Sequence, residues 1–316
     1  MSKETIGPRI KRLRKDKNIT QQELAESLGY SHKSVITNIE KGHSEMSYEK
    51  ILLLLRQYSL DANDFFGVQR VDKLLEEKKK NDYKKKEQFR RTEAIFGKEK
   101  MDLLYHSKVI VFGVGGVGGH CVDSLARSGV GQIDIVDFDK VEITNINRQF
   151  VASYSSIGKY KVDVMKEHLK DVNPNIKVKA IKKFYLPNNE DEFDLSQYDY
   201  IIDCVDNMSA KISLVAKANS LNIPIISALG AGNKIDPTKL EVSDIYKTSV
   251  DPLAKILRHE LRKRNIPSLK VVFSKEEPIK VDIKDEKRRA TPGSTSFVPP
   301  TMGLIIASEV IKDLIK

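Results

Sequence analysis

The sequence predicts a small all-α domain followed by an α/β domain with a doubly wound, mixed sheet. Three observations carry that expectation. Residues 91–316 alternate strand-like apolar runs with longer amphipathic stretches, as successive βαβ units do. One of those runs, Lys108-Val109-Ile110-Val111-Phe112, flows directly into a glycine-rich turn and then a helical pattern. Residues 1–67, in contrast, read as short helices with tight punctuation. Between the two, residues 68–90 read as a charged helical linker that contains Lys78-Lys79-Lys80 and Lys84-Lys85-Lys86.

A chain of 316 residues with 40% hydrophobic residues can bury a sizeable core. No window approaches the ~20 uninterrupted apolar residues of a membrane span. The start, Met1-Ser2-Lys3-Glu4-Thr5, has no apolar secretory run. The two cysteines, Cys121 and Cys204, exclude a disulfide framework and a four-cysteine zinc site, and they suit a reducing cytoplasm. The formal net charge of +10, from 54 basic and 44 acidic residues, favours a polyanionic partner.

In the first region, Thr20-Gln21-Gln22-Glu23 fits a capping box, in which Thr20 and Glu23 each bond the other's backbone. The helix it opens carries Leu24, Ala25 and Leu28 on one face and breaks at Gly29-Tyr30. Ser31 is expected to cap a second helix, with Val35, Ile36 and Ile39 inward and a stop at Gly42. Ser47 is expected to cap another, through Leu55. Two short helices joined by a glycine-containing turn form a helix-turn-helix unit. The stretch from Ile6 to Phe66 resembles the Cro/repressor-type helix-turn-helix family. Ile10-Lys11-Arg12-Leu13-Arg14, Thr20 to Ala25 and Ile39-Glu40-Lys41-Gly42 carry the likeness. That resemblance implies DNA as a partner, read by the second helix. Ser31, His32, Lys33 and Ser34 stand at its leading end and Thr37 and Asn38 one turn on, with Gln21 and Gln22 near phosphates or bases. With 11 basic and 9 acidic residues over 1–67, the domain is only weakly cationic, and a monomer should bind weakly.

The second region carries the chemistry. Gly113-Val114-Gly115-Gly116-Val117-Gly118-Gly119 lies between the first strand and a helix bearing Val122, Leu125 and Ala126 on one face. Such a turn lets backbone amides approach a phosphate where a Cβ would obstruct it, and the helix N-terminus favours negative charge. The next strand, Gln132 to Val136, ends at Asp137, 19 residues after Gly118 and placed to hold ribose hydroxyls. This much also fits an NAD-binding dehydrogenase. The residues beyond Asp137 argue against one: Asp139, then Asn145-Ile146-Asn147-Arg148-Gln149, then Lys161. Arg148 and Lys161 can meet a triphosphate, and a pyrophosphate leaving group needs such charge. A further strand, Tyr200 to Asp203, leads to Asp206-Asn207, and a carboxylate at a strand's C-terminal end suits Mg²⁺.

G-x-G-G-x-G, D-x-D, N-x-N-R-Q, a lysine 13 residues beyond the arginine, and D-x-x-D-N together resemble the MoeB/ThiF adenylating family. The resemblance implies a Rossmann-like sheet, a homodimer, and ATP with Mg²⁺ as cofactors. It implies that Gly113, Gly115, Gly116 and Gly118 line the phosphate loop and that Asp137, Asp139 and Asp203 lie at the nucleotide. Asn145, Asn147, Arg148, Gln149 and Lys161 would surround the phosphates, and Asp206 would bind the metal. Arg91, ahead of the first strand, would reach the γ-phosphate of a neighbouring subunit.

Within that family, Ala228 to Thr238, Ser243 to Thr248, Asp251-Pro252-Leu253-Ala254 and Pro292 to Leu304 resemble the tRNA threonylcarbamoyladenosine dehydratases, over roughly Arg91 to Ile315. This implies ATP-dependent activation of a carboxylate on a tRNA adenosine, followed by ring closure. Some members have a cysteine in the C-terminal loop, where this chain reads Ala290-Thr291-Pro292-Gly293-Ser294. Lys255, Arg258, Arg262, Lys263, Arg264 and Lys270 stand in one short segment against one acid, Glu260, and the first five are expected to meet tRNA phosphates. Two other functions fit the motifs: adenylation of a ubiquitin-like or sulfur-carrier tail, and a nucleotide-sensing transcription regulator. Antiparallel strands are expected late in the sheet, around Lys270–Ile283.

Overall fold

The computed structural model describes residues 6–62, 65, 87–281 and 292–316. The chain divides into two compact units, Met1–Gln88 and Phe89–Lys316. The linker expected over 68–90, with both of its lysine triplets, lies outside the described residues except for its last few positions.

The first unit contains α1 (Ile6–Asp16), α2 (Gln21–Ser27), α3 (Lys33–Glu40) and α4 (Tyr48–Gln57). Each presents an apolar stripe at helical spacing: Ile6, Ile10 and Leu13 from α1 meet Leu24, Ile36, Ile39, Ile51 and Leu54. The Thr20 capping box forms, with both reciprocal bonds. Ser47 caps α4 through the Lys50 amide. Ser31 does not cap α3; it stands one residue too early, and His32 occupies that place with no side-chain bond. A polar knot ties the helices together. Arg14 grips Glu40 with Nε and Nη2 at 2.7 and 3.2 Å, Gln21 donates to Glu40 at 2.8 Å, and Thr37 donates to Gln21 at 3.0 Å. Burial works against the ionised form of Glu40, but the bonds from Arg14 and Gln21 hold its carboxyl below the usual range.

The second unit opens with α5 (Arg90–Phe96) and α6 (Lys98–His106). It continues through β1 (Lys108–Phe112), α7 (Gly118–Arg127), β2 (Gln132–Val136), α8 (Lys161–Val172), β3 (Lys177–Ile181), β4 (Tyr200–Asp203) and α9 (Met208–Ser220). β5 (Ile225–Ala228), β6 (Leu240–Asp244), α10 (Pro252–Lys263), β7 (Lys270–Ser274) and α11 (Val298–Leu314) complete it. The sheet order is β3-β2-β1-β4-β5-β7-β6. All pairings are parallel except β6 with β7.

Strand residues alternate between two cores. Val109, Val111, Ile133 and Ile135 face α7, α8 and α11, while Ile110, Phe112 and Ile201 face α9. Burial on both faces is why the strands read as continuous apolar runs. Antiparallel pairing falls within the stretch expected around Lys270–Ile283: β7 (Lys270–Ser274) runs antiparallel to the edge strand β6, while its other neighbour, β5, is parallel to it. Residues 282 and 283 lie outside the described set. Strand succession reverses between β1 and β4, so a crevice opens at the C-terminal ends of those two strands. Among the described residues, no helix is long and apolar enough to cross a membrane.

Candidate nucleotide and acceptor site

A cleft of about 440 Å³ occupies that crevice. Its floor is the turn after β1. Gly113 adopts φ +89°, and a Cβ there would stand 2.6 Å from the Cys204 carbonyl oxygen. Gly118 lies behind the turn, where a Cβ would stand 1.8 Å from the Gly113 oxygen. Gly115 and Gly116 face the cleft itself. α7 starts at Gly118 with no side-chain cap; the Gly119 amide donates to the Gly115 carbonyl at 3.0 Å, and the positive end of the helix favours a bound anion.

Asp137 closes β2 and holds the turn in place. Its carboxylate accepts from the Val114 amide at 2.7 Å and from the Asp139 amide at 2.8 Å. Burial pushes its pKa up, and the nearby Lys161 charge pulls the other way. Lys161 begins α8, is 6% exposed, and reaches Asp139 at 2.8 Å.

The short 3₁₀ turn Ile143–Asn145 positions the remaining polar groups. Asn145 accepts from the Glu142 amide at 3.2 Å and stabilises that turn. Arg148 is half-buried and donates from Nη1 to the Thr144 carbonyl at 3.0 Å and to Asn147 Oδ1 at 2.8 Å. Burial lowers its pKa from an ordinarily very high value, so its charge stays. Gln149 is 9% exposed, and its Oε1 is buried without a hydrogen-bond partner. A buried acceptor left open at a polar cleft is a place for a ligand donor.

Of the residues predicted for nucleotide and metal, the cleft gathers Gly113, Gly115, Gly116, Asp137, Asp139, Asn145, Arg148, Gln149, Lys161 and Asp206. The others are placed differently. Asp203 is fully buried; its carboxylate takes the Lys211 ammonium at 2.7 Å and the Val205 amide at 3.2 Å, and faces α9 instead of a ligand. Asn147 turns toward the C-terminal segment and donates to the Ser294 carbonyl at 3.0 Å. Arg91 is exposed on α5 and does not line the cleft of its own chain. Sequence reasoning misses two groups of lining residues. One is Phe138, Lys183 and Phe184, and the other is Gly232 with the Gly293-Ser294 pair. An apolar residue such as Phe138 left exposed after a strand-end acid is the only local signal for the first. Cys204 borders the cleft, with burial pushing its thiol up to about 12.

The cations of α10 are less available than their number suggests. Arg258 is half-buried and donates to the carbonyl and hydroxyl of Thr248. Lys263 and Arg264 both pair with Glu260, at 2.8 and 2.7 Å. Lys255 and Arg262 remain exposed on one side of the helix, with Arg262 over the Tyr246 ring. In the first unit, Ser31, His32, Lys33, Ser34 and Asn38 are exposed around the start and outer face of α3. Gln21 and Thr37 are half-buried in the knot around Glu40, and Gln22 donates to Glu26 at 2.6 Å.

Comparison with known proteins extends this geometry. The helix-turn-helix family matches residues 10–65. A tRNA threonylcarbamoyladenosine dehydratase of Bacillus subtilis is 44% identical over 241 residues, covering 72% of this chain and 95% of the relative. The corresponding protein of Haemophilus influenzae is 34% identical, over 70% and 91%. The crystal structure of the Escherichia coli tRNA N6-threonylcarbamoyladenosine dehydratase in complex with ATP superposes with a TM-score of 0.67 at 32% identity, covering 72% of this chain and 94% of that one. The ThiF family matches residues 89–316 throughout. With the glycine turn, the paired cations and the strand-end acids gathered in one crevice, this chain belongs to the ThiF family.

Proposed function

We propose that the chain is an ATP-dependent tRNA threonylcarbamoyladenosine dehydratase. It adenylates the carboxylate of the threonylcarbamoyl group on the adenosine beside the anticodon, and the activated group then cyclises. The convergence of Arg148, Lys161 and the glycine turn on one cleft carries this reading. The 44% identity to a dehydratase over nearly all of its length supports it.

In this reading the ribose lies by Asp137 and the triphosphate lies over the turn and the N-terminal end of α7. A carboxylate oxygen of the acceptor attacks the α-phosphorus. The bond to the β-phosphate oxygen breaks and pyrophosphate departs with the electron pair. Arg148 and Lys161 stabilise the charge gathering on that leaving group, a contribution made in the transition state more than in the ground state. A nucleophile within the threonylcarbamoyl group then attacks the acyl carbon, and AMP leaves carrying the former carboxylate oxygen. That transfer of oxygen accounts for the net loss of water. The second nucleophile belongs to the substrate, so no enzyme thiol is required, which fits a Cys204 whose thiol burial keeps protonated.

Mg²⁺, when bound, supplies further neutralisation of phosphate charge. Among the described residues no group of three metal-ligating side chains exists. Asp206, exposed at the cleft, suits an ion that takes one or two carboxylates together with substrate phosphates.

ATP–pyrophosphate exchange tests the reaction. It is expected with tRNA carrying threonylcarbamoyladenosine, and not with a carrier protein ending in Gly-Gly or with ATP alone. Exchange driven by the carrier protein and not by tRNA would reject the proposal.

Two exposed surfaces are assigned to polyanions in the same reading: Lys255 and Arg262 on α10 to tRNA, and α3 to duplex DNA. Lys255→Ala with Arg262→Ala should shallow the salt dependence of tRNA binding by roughly 0.7–0.9 for each phosphate left unneutralised, and spare DNA binding. Lys33→Ala with Asn38→Ala should do the converse. Filter-binding titrations across a salt series read both arms, and a swap of the two phenotypes would refute the assignment.

A further inference from the structure

Asn147 is the residue the catalytic reading leaves without a task. It lies just beyond the Asn145 turn and precedes Arg148, yet it does not line the cleft. Its amide faces two ways. Oδ1 accepts from Arg148 Nη1 at 2.8 Å, and Nδ2 donates to the Ser294 carbonyl at 3.0 Å. A single planar group therefore joins the guanidinium on the phosphate side to the wall formed by Pro292, Gly293 and Ser294. That wall has a second fastening. Asn233, held at φ +60°, donates its amide N–H to the Gly293 carbonyl at 2.8 Å and accepts the Gly293 N–H on Oδ1 at 2.5 Å. The Asn233 carbonyl also accepts from the Ile279 amide at 2.8 Å. Asn147 and Asn233 thus hold adjacent residues of the same short segment, and Gly232 and Ser294 border the cleft.

Arg148 spends Nη1 on Thr144 and Asn147, and its remaining nitrogens carry no hydrogen bond among the described residues. A triphosphate engaging those nitrogens in the planar geometry that guanidinium prefers fixes the Arg148 plane. It thereby fixes Asn147 and, through Nδ2, the Ser294 carbonyl. We infer that Asn147 is a positioning residue which couples nucleotide binding at Arg148 to the ordering of the Pro292–Ser294 wall, where the acceptor's carboxylate end is received. It acts on the acceptor and not on ATP affinity. The acceptor's identity rests on the dehydratase reading; the coupling does not.

Three substitutions separate the links. Asn147→Ala removes both bonds. Asn147→Asp keeps the acceptor for Arg148 but cannot donate to the Ser294 carbonyl. Asn233→Gly keeps the left-handed backbone and loses only the side-chain bond to Gly293. Amide hydrogen exchange over residues 292–297, with and without α,β-methylene-ATP and Mg²⁺, reads the coupling without any acceptor. Nucleotide should slow exchange there in the wild type and in Asn233→Gly, and should not in either Asn147 variant. Steady-state kinetics with tRNA should show KM for tRNA raised about tenfold in the Asn147 variants, the size expected for one lost hydrogen bond, with the dissociation constant for ATP within about twofold. Equal exchange with and without nucleotide in the wild type overturns the inference. So does an Asn147→Ala protein that binds ATP poorly while keeping its KM for tRNA, which would make Asn147 a nucleotide contact. A wild type that orders the segment on nucleotide binding yet never turns over tRNA would refute the dehydratase reading and leave the coupling standing.

Discussion

Replacing Arg148 with alanine is expected to lower tRNA-dependent ATP–pyrophosphate exchange by roughly 10²–10³-fold, the usual cost of removing one charge-stabilising donor from a reacting centre. The loss should fall on kcat more than on the KM for ATP. Negative charge on the bridging oxygen grows as pyrophosphate departs, so an interaction with that oxygen is stronger in the transition state than in the ground state. Folding should be little affected, because Arg148 is half-buried and its two hydrogen bonds end on groups at the surface, the Thr144 carbonyl and the Asn147 amide. Arg148→Lys should recover only part of the rate. A lysine keeps the charge but has no planar fork with which to hold Asn147 and a phosphate together. Thermal denaturation run beside the exchange assay distinguishes lost chemistry from lost structure. An alanine variant that exchanges at the wild-type rate would remove the central cation from the site.

That site is legible in the sequence where one short segment fixes both spacing and direction. The turn from Gly113 to Gly118 is contiguous, bounded by a strand and a helix, and its glycines answer local steric demands that a reader can anticipate. Asn145, Arg148, Gln149 and Lys161 share one stretch whose spacing resembles a family pattern, and all four meet the cleft. Asp203 shows how proximity along the chain misleads. It stands at the C-terminal end of β4, three residues before Asp206, and so reads as a neighbour of the nucleotide. Strand alternation sends it the other way: Asp203 shares the parity of Ile201, which packs against α9, and there it meets Lys211. The parity is readable; the partner, on a later helix, is not. Arg258 departs from expectation for a related reason. Its spacing on α10 suggests an exposed stripe, but Thr248, brought close by the loop before the helix, takes its guanidinium. The reversed edge strand is equally hidden, because no local pattern says that the chain leaves β5, runs to the sheet edge as β6, and returns through α10 to fill the gap with β7.

The same buried pair supplies the largest expected effect on stability. Lys211 is 1% exposed and Asp203 0% exposed. The ammonium donates to Asp203 Oδ2 at 2.7 Å and to the Ala228 carbonyl at 2.9 Å, bridging the ends of β4 and β5. Lys211→Met keeps most of the length of the aliphatic chain and deletes the charge. It leaves a carboxylate and a carbonyl buried without their shared donor, a change that typically costs about 3–5 kcal/mol. For a unit the size of Phe89–Lys316, each kcal/mol shifts Tm by roughly 2–4 °C, so a fall of about 10 °C is expected in the transition of this unit. Asp203→Asn placed on top of Lys211→Met should recover much of the loss. It removes the unpaired charge, while the side-chain oxygen can still accept from the Val205 amide, as Asp203 does at 3.2 Å. The comparison isolates charge from packing: if burial of an uncompensated carboxylate is the cause, the double variant melts above the single one. If both variants melt together, the loss comes from the methionine's fit and the pair has no electrostatic role. The function depends on the same residues, because the segment from Cys204 to Asn207 leaves β4 directly after Asp203 and carries Asp206 to the cleft. On the proposed assignment of Asp206 to Mg²⁺, loosening its root should raise the Mg²⁺ concentration needed for half-maximal pyrophosphate exchange at temperatures where the single variant is still folded.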